Sequence, residues 1–168
     1  MIVLQRTLRS NSIVMKHEVE TVWMGGMRFN ALVGGHTIVM DGPERAGGRD
    51  EGPIPKPLML TALAGCTGMD VAGILRRQGS TLTGMDIKVE AELSTDRPMV
   101  YTGVHVIYDL HGDELLQDDA LRAVQRSQTE LCGVSAMLKK AMSVTWEVHY
   151  NGRLIYSNKS GKLHVMMG

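Results

Sequence analysis

The 168-residue sequence has few of several residue types. It contains two cysteines, one phenylalanine and 4% aromatic residues, and its 18 Lys and Arg residues are balanced by 18 Asp and Glu residues. Two cysteines are too few for the disulfide framework of a small secreted protein. A formal net charge of zero argues against the positive field that attracts nucleic-acid phosphates. We therefore expect neither a disulfide scaffold nor a nucleic-acid partner.

Long hydrophobic runs are also scarce. In the sequence, no segment approaches the run of about 20 apolar residues that spanning a bilayer requires. The apolar run at residues 1–4 is too short for a secretory signal. We therefore expect a cytoplasmic protein without a membrane partner. The length fits a single domain. We assign this domain to residues 16–156, with an N-terminal extension at residues 1–15 and a polar C-terminal tail at residues 157–168.

Alternating apolar and polar residues predict several strands. They are expected at residues 16–23, 28–32, 36–40, 86–94, 100–110, 144–150 and 154–156. Gly34 and Gly35 predict a hairpin turn between the second and third strands. Residues 41–55, rich in glycine, proline and charge, predict a loop. Helices are expected after an N-cap at Asp118 or Asp119 and at residues 134–142. Strands in hairpins predict an α+β fold with antiparallel sheets.

A third helix, the longest, is expected from Pro57 to Arg77 and is apolar on nearly every side. Proline is tolerated in the first turn of a helix, and Gly79 fits the position after its end. A helix that is apolar all round is buried, and one sheet can cover only one of its sides. We therefore expect an intimate homodimer in which a second subunit covers the rest. Interior Gly65 and Gly68 indicate either a close approach of another backbone or a distorted turn.

The two cysteines are both predicted at helices. Cys66 lies in the middle of the long helix, and Cys132 lies at the start of the helix at residues 134–142, where the helix dipole favours a thiolate. Cys66 needs a cation from elsewhere, for which Arg28, Arg49 and Lys56 are candidates. The pattern of residues leaves two interpretations open: two inert buried cysteines, or a reactive pair.

Longer segments around both cysteines resemble the OsmC/Ohr family of thiol-dependent hydroperoxide reductases. They are PIPKPLMLTALAGCTGMDV at residues 53–71, SQTELCGV at residues 127–134 and MLKKA at residues 137–141. The segments GGMRF at residues 25–29 and GHTIVMD at residues 35–41 fit the OsmC-like branch. The resemblance extends over residues 19–150.

The resemblance implies an α+β fold in which two intertwined subunits bury the cysteine helices, with both active sites at the subunit interface. It also implies that Cys66 is the peroxidatic thiol and Cys132 the resolving thiol. Cys66 would then reduce an organic hydroperoxide and become a sulfenic acid, which condenses with Cys132 to a disulfide. An unidentified dithiol reductant would restore both thiols. No cofactor and no metal site are expected.

Apolar residues around the long helix bear on the substrate. Met59, Leu63 and Met69 are expected to line the binding pocket and to favour alkyl hydroperoxides over hydrogen peroxide. Asp70 follows Cys66 by one helical turn. A carboxylate beside a thiolate raises the thiol pKa, so we expect Asp70 to have a structural role.

The sequence also departs from the family pattern. Peroxidases of the family carry a glutamate about ten residues before the first cysteine, where this chain has Lys56. Glu51 is the candidate substitute. Arg28 lies one residue away from the family's arginine position, and a shift of one residue on a strand reverses the direction of a side chain. Arg49 is the alternative cation. The missing glutamate makes a second function possible: a stress protein that binds a small molecule and has little or no peroxidase activity.

Overall fold

The computed structural model describes residues 16–159. The predicted extension at residues 1–15 and residues 160–168 of the predicted tail lie outside the described residues. The chain divides after Ile54 into two compact units, which we call the N-terminal unit and the C-terminal unit. The assignment of residues 16–156 to a single domain stays a prediction.

The N-terminal unit contains a three-stranded antiparallel sheet. Its strands are β1 (Val19–Trp23), β2 (Phe29–Val33) and β3 (His36–Met40), in the order β1-β2-β3. Gly34 and Gly35 have φ angles of +56° and +85°, which match the two positive φ values that a tight hairpin turn needs. The predicted hairpin between β2 and β3 is therefore confirmed.

The loop that follows β3 is held together by Asp41, which is only 3% exposed. Its carboxylate accepts hydrogen bonds from the backbone N–H groups of Gly42, Arg49 and Glu51, at 2.8, 2.9 and 3.3 Å. These hydrogen bonds, led by that of Arg49, keep the pKa of Asp41 below its ordinary value. One 3₁₀ turn lies within the loop, at Glu44–Ala46.

The C-terminal unit combines three helices with a second sheet. Its elements are α1 (Leu58–Arg77), β4 (Gly84–Leu93), β5 (Tyr101–His111), α2 (Gln117–Arg126), α3 (Gly133–Leu138), β6 (Ser143–Tyr150) and β7 (Arg153–Ser157). The sheet order is β4-β5-β6-β7. The main core lies between this sheet and the helices, and includes the following fully buried side chains: Leu63, Val71, Val106, Tyr108, Leu110, Val124, Val148 and Tyr150.

The α+β fold class is confirmed, with one difference in the sheet. Strands β5 and β6 are parallel, whereas β4–β5 and β6–β7 are antiparallel. The connection from β5 to β6 passes through α2 and α3, and a connection of this length returns the chain to the end of the sheet where β5 began. Strand alternation alone does not show this direction.

A further expectation needs correction. Asp118 and Asp119 are not the N-cap, because they lie in the first turn of α2. The capping side chain is that of Asp113, which accepts a hydrogen bond from Leu115 N before a 3₁₀ turn at Glu114–Leu116. In the predicted tail, the Asn158 side chain accepts a hydrogen bond of 2.7 Å from Trp146 N.

Helix α1 buries one side in the core, through Leu63, Thr67, Gly68, Val71, Ile74 and Leu75. A β-carbon at Gly68 would lie 2.9 Å from Ile87 Cδ1, a side-chain atom of β4, and among the described residues nothing lies within 4 Å of a β-carbon at Gly65. The predicted approach of another backbone is therefore wrong at both glycines. The other side is exposed, with Met69 at 78% exposure. Contrary to the sequence reading, α1 is long and apolar enough to cross a membrane. Its buried side is part of the core.

Candidate active site

Helix α1 and the start of α3 bring three reactive groups together. Cys66 and Asp70 are one turn apart on α1 and therefore share a face. Cys132 is the N-cap residue of α3. The two sulfur atoms and one Asp70 carboxylate oxygen all lie within 4.8 Å of one another. Both thiols are free, Cys66 half-buried and Cys132 buried. The predicted cysteine pair is thus in reach of disulfide formation after a small movement.

A widened turn, Ser127–Leu131, sets the position of Cys132. In this π-helical turn the N–H of Cys132 donates to the carbonyl of Ser127, five residues earlier, at 2.9 Å. Such turns insert one extra residue into a helix and often occur at functional sites. The backbone then becomes extended at Cys132, with φ −68° and ψ 104°. The Cys132 side chain therefore lies at the beginning of α3, facing α1.

The environment of Cys132 favours the neutral thiol. Burial raises the pKa of Cys132 to about 11, because the apolar surroundings penalise the thiolate. A hydrogen bond of 3.4 Å from Ser135 N to the sulfur acts in the opposite direction but is the smaller effect. The predicted help from the helix start is present, and burial outweighs it.

A chain of buried hydrogen bonds begins at Asp70. Ser127 Oγ donates to Asp70 Oδ2 at 2.9 Å, and Thr67 Oγ1 lies 2.8 Å from Ser127 Oγ. Thr67 Oγ1 also lies 2.6 Å from the hydroxyl of Tyr108, to which Gln128 Nε2 donates at 2.6 Å. Ser127, Thr67 and Tyr108 are fully buried. We call these five residues the Asp70 chain.

The carboxylate fixes the direction of every hydrogen bond in the Asp70 chain. Each hydroxyl has a single proton, and an ionised carboxylate can only accept. Ser127 uses its hydroxyl hydrogen in the hydrogen bond to Asp70. Thr67 must therefore donate to Ser127, and Tyr108 must donate to Thr67. The chain therefore points toward Asp70 from end to end. The hydrogen-bond partner of Asp70 is therefore a buried side-chain hydroxyl.

The far end of the Asp70 chain leads back to Cys132. Gln128 Oε1 accepts a hydrogen bond of 2.7 Å from Ser135 Oγ, and Ser135 N donates to the Cys132 sulfur. Lys139 donates to the backbone carbonyl of Gln128, and burial keeps its pKa below the ordinary value. Burial also raises the pKa of Tyr108 to about 12, so its hydroxyl stays protonated as the chain requires.

The predicted arginine and its acidic partner meet in the N-terminal unit. Arg28 Nη1 forms a salt bridge with Glu51 Oε2. Arg28 lies in the turn before β2, not on the strand, so the alternation of a strand does not decide its direction. Arg28, Arg49 and Asp41 line a cavity of about 400 Å³ together with glycine backbone from two segments: Gly25, Gly26, Gly47 and Gly48.

The remaining predicted site residues lie in the C-terminal unit. Lys56 donates a hydrogen bond of 2.7 Å to the carbonyl of Met99. Leu63 is fully buried in the core, where it contributes packing and no open surface. Met59 and Met69 are exposed. Their role in a substrate pocket stays a prediction.

Cys66, Asp70 and Cys132 carry atoms of the kinds that bind metal ions. A structural zinc site uses four protein ligands, usually cysteine and histidine. Among residues 16–159, Cys66, Cys132 and Asp70 are the only such group, and no fourth ligand lies with them. They do not make a complete structural zinc site.

Sequence reasoning missed the buried polar residues of the site. Thr67, Ser127, Gln128 and Ser135 are buried although their residue types are usually exposed. The one sequence feature that could have indicated buried polar groups is the polar stretch at residues 125–130, which lies between apolar helix positions. Its widened turn has no recognised sequence pattern, so the inward direction of Ser127 and Gln128 could not be read.

The fold and this site define a class: an α+β protein in which a long core helix presents one thiol to a second thiol at another helix start. Comparison with known proteins gives the family. The family model described as OsmC-like protein matches residues 48–147. Protein YhfA from Escherichia coli strain K12 is 30% identical over 124 residues, which is 73% of this chain and 90% of that protein. The chain belongs to the OsmC-like family, as its cysteine segments predicted.

Solved structures support the fold. The organic hydroperoxide resistance protein OsmC from Legionella pneumophila matches with a TM-score of 0.60 and 17% identity, covering 80% of this chain and 97% of that chain. The organic hydroperoxide resistance protein OhrB of Bacillus subtilis matches with a TM-score of 0.56 and 19% identity, covering 80% and 98%. Family membership relates the chain to proteins of hydroperoxide resistance and stress.

Proposed function

We propose that this protein is a cytoplasmic, cofactor-free, cysteine-based peroxidase that reduces organic hydroperoxides in stress defence. The observation that carries the proposal is the meeting of Cys66 and Cys132, whose sulfurs lie within 4.8 Å although they are far apart in sequence. Cys66 is the more exposed of the two and is therefore the thiol that a substrate meets first.

The reaction has three balanced steps. The Cys66 thiolate attacks the outer oxygen of the hydroperoxide, the O–O bond breaks, and the alkoxide takes up a proton to leave as an alcohol. Cys66 is then a sulfenic acid. The Cys132 sulfur attacks the Cys66 sulfur, and a disulfide and one water molecule form. A dithiol reductant reduces the disulfide by exchange and is itself oxidised.

Arg28 and Glu51 are the proposed partners of the Cys66 thiolate. The salt bridge between them supports the idea that Glu51 replaces the glutamate whose position is taken by Lys56. Arginine presents a planar fork of donors that suits both a carboxylate and a peroxide oxygen, which a lysine does not. Arg49 lines the same cavity and is the alternative.

A homodimer with active sites at the subunit interface is part of the proposal. The exposed side of α1 supports it, because Met59 and Met69 are apolar and open to solvent in the single chain. A partner subunit on this side would bury them and could complete an apolar pocket for the alkyl group. Large exposed apolar side chains that cluster on one face are typical of an interface.

The test is a thiol titration of the reduced protein before and after one equivalent of cumene hydroperoxide, together with intact mass. We expect rapid loss of two thiols and of two mass units. Cys66→Ser should abolish peroxide consumption. Cys132→Ser should allow a single turnover that stops at the sulfenic acid. Unchanged thiols in the wild-type protein would overturn the proposal and support a binding protein without peroxidase activity.

A further inference from the structure

Disulfide formation requires two proton transfers. Cys132 must attack as a thiolate, yet its burial keeps it neutral at physiological pH. The hydroxide that leaves the Cys66 sulfenic acid needs a proton at the same moment. One group that accepts the first proton and supplies the second would serve both needs.

Asp70 is placed for this role. Its carboxylate oxygen and the two sulfurs lie within 4.8 Å of one another, which is the reach of a direct contact after a small rotation or of one bridging water. Within the described residues, Ser127 is the one side chain that donates to this carboxylate. The second oxygen, Oδ1, is left available for a proton.

The Asp70 chain keeps the carboxylate in place without giving it a proton. Its donors all point toward Asp70, and its far end is the Gln128 amide, which does not titrate. A proton taken from Cys132 therefore stays on Asp70 until a local acceptor appears. The chain orients the carboxylate, as buried hydrogen-bond networks do.

We propose that Asp70 is the proton shuttle of disulfide formation, an inference that rests on the proposed function. In the balanced step, Asp70 accepts the thiol proton of Cys132, and the Cys132 sulfur forms a bond to the Cys66 sulfur. The S–O bond of the sulfenic acid breaks, and Asp70 protonates the departing hydroxide to water. Asp70 ends the step ionised, as it began.

The other titratable groups around this step do not replace Asp70. Tyr108 on β5 donates within the chain, and Lys139 after α3 donates to the Gln128 carbonyl. Cys66 is the sulfur under attack. Among the described groups within 4.8 Å of the two sulfurs, Asp70 is the carboxylate.

The variant Asp70→Asn separates the shuttle from a merely structural role. The asparagine side-chain oxygen can still accept the hydrogen bond of Ser127, so the Asp70 chain is retained, but the amide cannot take up a proton. Ser127→Ala is the matched control, because it interrupts the chain and retains the carboxylate. Far-UV circular dichroism and the unfolding midpoint verify that both variants fold.

The experiment follows disulfide formation by rapid quenching after cumene hydroperoxide is added, with dimedone to trap the sulfenic acid. In Asp70→Asn we expect the sulfenic acid to form at least as fast as in the wild type, since a negative charge beside Cys66 is removed, and to accumulate. Disulfide formation should slow by about 10²- to 10⁴-fold, the usual contribution of general acid–base catalysis. Ser127→Ala should slow it much less.

The pH profile distinguishes proton transfer from misplacement. In Asp70→Asn, disulfide formation should accelerate about tenfold per pH unit between about pH 7 and 10, because bulk hydroxide then supplies the Cys132 thiolate. The wild-type profile should be flatter. Wild-type rates in Asp70→Asn at every pH, or an equal loss in Ser127→Ala, would overturn the inference.

A second reaction keeps the test independent of peroxidase activity. The reagent 5,5′-dithiobis(2-nitrobenzoate) forms a mixed disulfide with Cys66 and releases one coloured thionitrobenzoate; Cys132 then attacks the Cys66 sulfur and displaces the second. We expect Asp70→Asn to slow the second release and Cys132→Ser to abolish it. If the wild type releases the second thionitrobenzoate but does not react with peroxide, the proposed function fails. If Asp70→Asn also releases it at the wild-type rate, the shuttle fails.

Discussion

At the scale of single residues, Cys66 and Cys132 show that two cysteines in one site can have different surroundings. Cys132 starts a helix and accepts an N–H hydrogen bond, both of which favour the thiolate, yet burial raises its pKa to about 11. Helix α3 has only six residues, so it contributes little against desolvation. Cys66 is half-buried in the middle of α1. This difference in exposure is the reason that the proposed function assigns the substrate-facing role to Cys66.

Arg28 and Glu51 lead to a prediction at this scale. We expect Arg28→Ala and Glu51→Gln each to slow the oxidation of Cys66 by cumene hydroperoxide by about 10²-fold, since preorganised charged groups commonly contribute that much. Arg28→Lys should not restore the rate, because lysine lacks the fork geometry. The rate is measured as thiol loss under excess peroxide.

The matched control is Arg45→Ala. Arg45 has the same charge and lies in the exposed 3₁₀ turn of the same unit. We expect this variant to react at the wild-type rate. If Arg28→Ala and Arg45→Ala were equally fast, the assignment of Arg28 to the thiolate would be wrong.

At the scale of elements, α1 connects the core to the site through Thr67. Its hydroxyl bonds both Tyr108 and Ser127, each fully buried. Thr67→Val has nearly the same shape and leaves these two hydroxyls short of a partner. An unsatisfied buried polar group costs about 1–3 kcal/mol. We expect a loss of this size in the free energy of unfolding, measured in urea.

Thr61→Val is the control on the same helix. Thr61 is exposed, and its hydroxyl is 3.4 Å from the carbonyl of Pro57. Exposed substitutions of this kind usually change stability by less than about 0.5 kcal/mol. Equal losses in the two variants would mean that the buried chain contributes nothing beyond helix propensity.

The same element shows how far the sequence could predict the structure. The bounds of α1 followed from Pro57, the apolar run and Gly79, which are local signals, and the structure confirms the helix. The hairpin at Gly34 and Gly35 followed from turn chemistry in the same way. The direction of β6 beside β5 did not, because it depends on a connection of many residues.

The site was predictable only in part, for a similar reason. Cys66 and Cys132 were named from local sequence, and the structure brings their sulfurs within 4.8 Å. Asp70 was assigned a structural role, since its position relative to Cys132 depends on tertiary packing. The inward direction of Ser127 depends on the widened turn, which no local residue pattern announces. Long-range geometry therefore decided what sequence spacing left open.

At the scale of the whole molecule, the exposed side of α1 predicts the oligomeric state. Met69 is 78% exposed in the single chain, on a helix whose opposite side lies in the core. We expect a homodimer in solution, and we expect Met69→Lys to shift it to monomer at micromolar concentration, because the substitution places a charge in an apolar interface. Light scattering after size-exclusion chromatography measures the mass.

Leu115→Lys is the control for this prediction. Leu115 is 88% exposed and lies in the 3₁₀ turn before α2, so it is not part of helix α1. It introduces the same charge and should leave the mass unchanged. A wild-type monomer, or a Met69→Lys variant that keeps the wild-type mass, would contradict the proposed interface.

The parallel pairing of β5 with β6 has a consequence for synthesis on the ribosome. Residues emerge from the N-terminal end, so Cys66 leaves the exit tunnel long before Cys132 and before β6 can close the sheet. Pairings of this long range form late in folding. During translation Cys66 is therefore a solitary thiol on an apolar segment. We expect the nascent chain to be most vulnerable to oxidation and to chaperone capture in that interval.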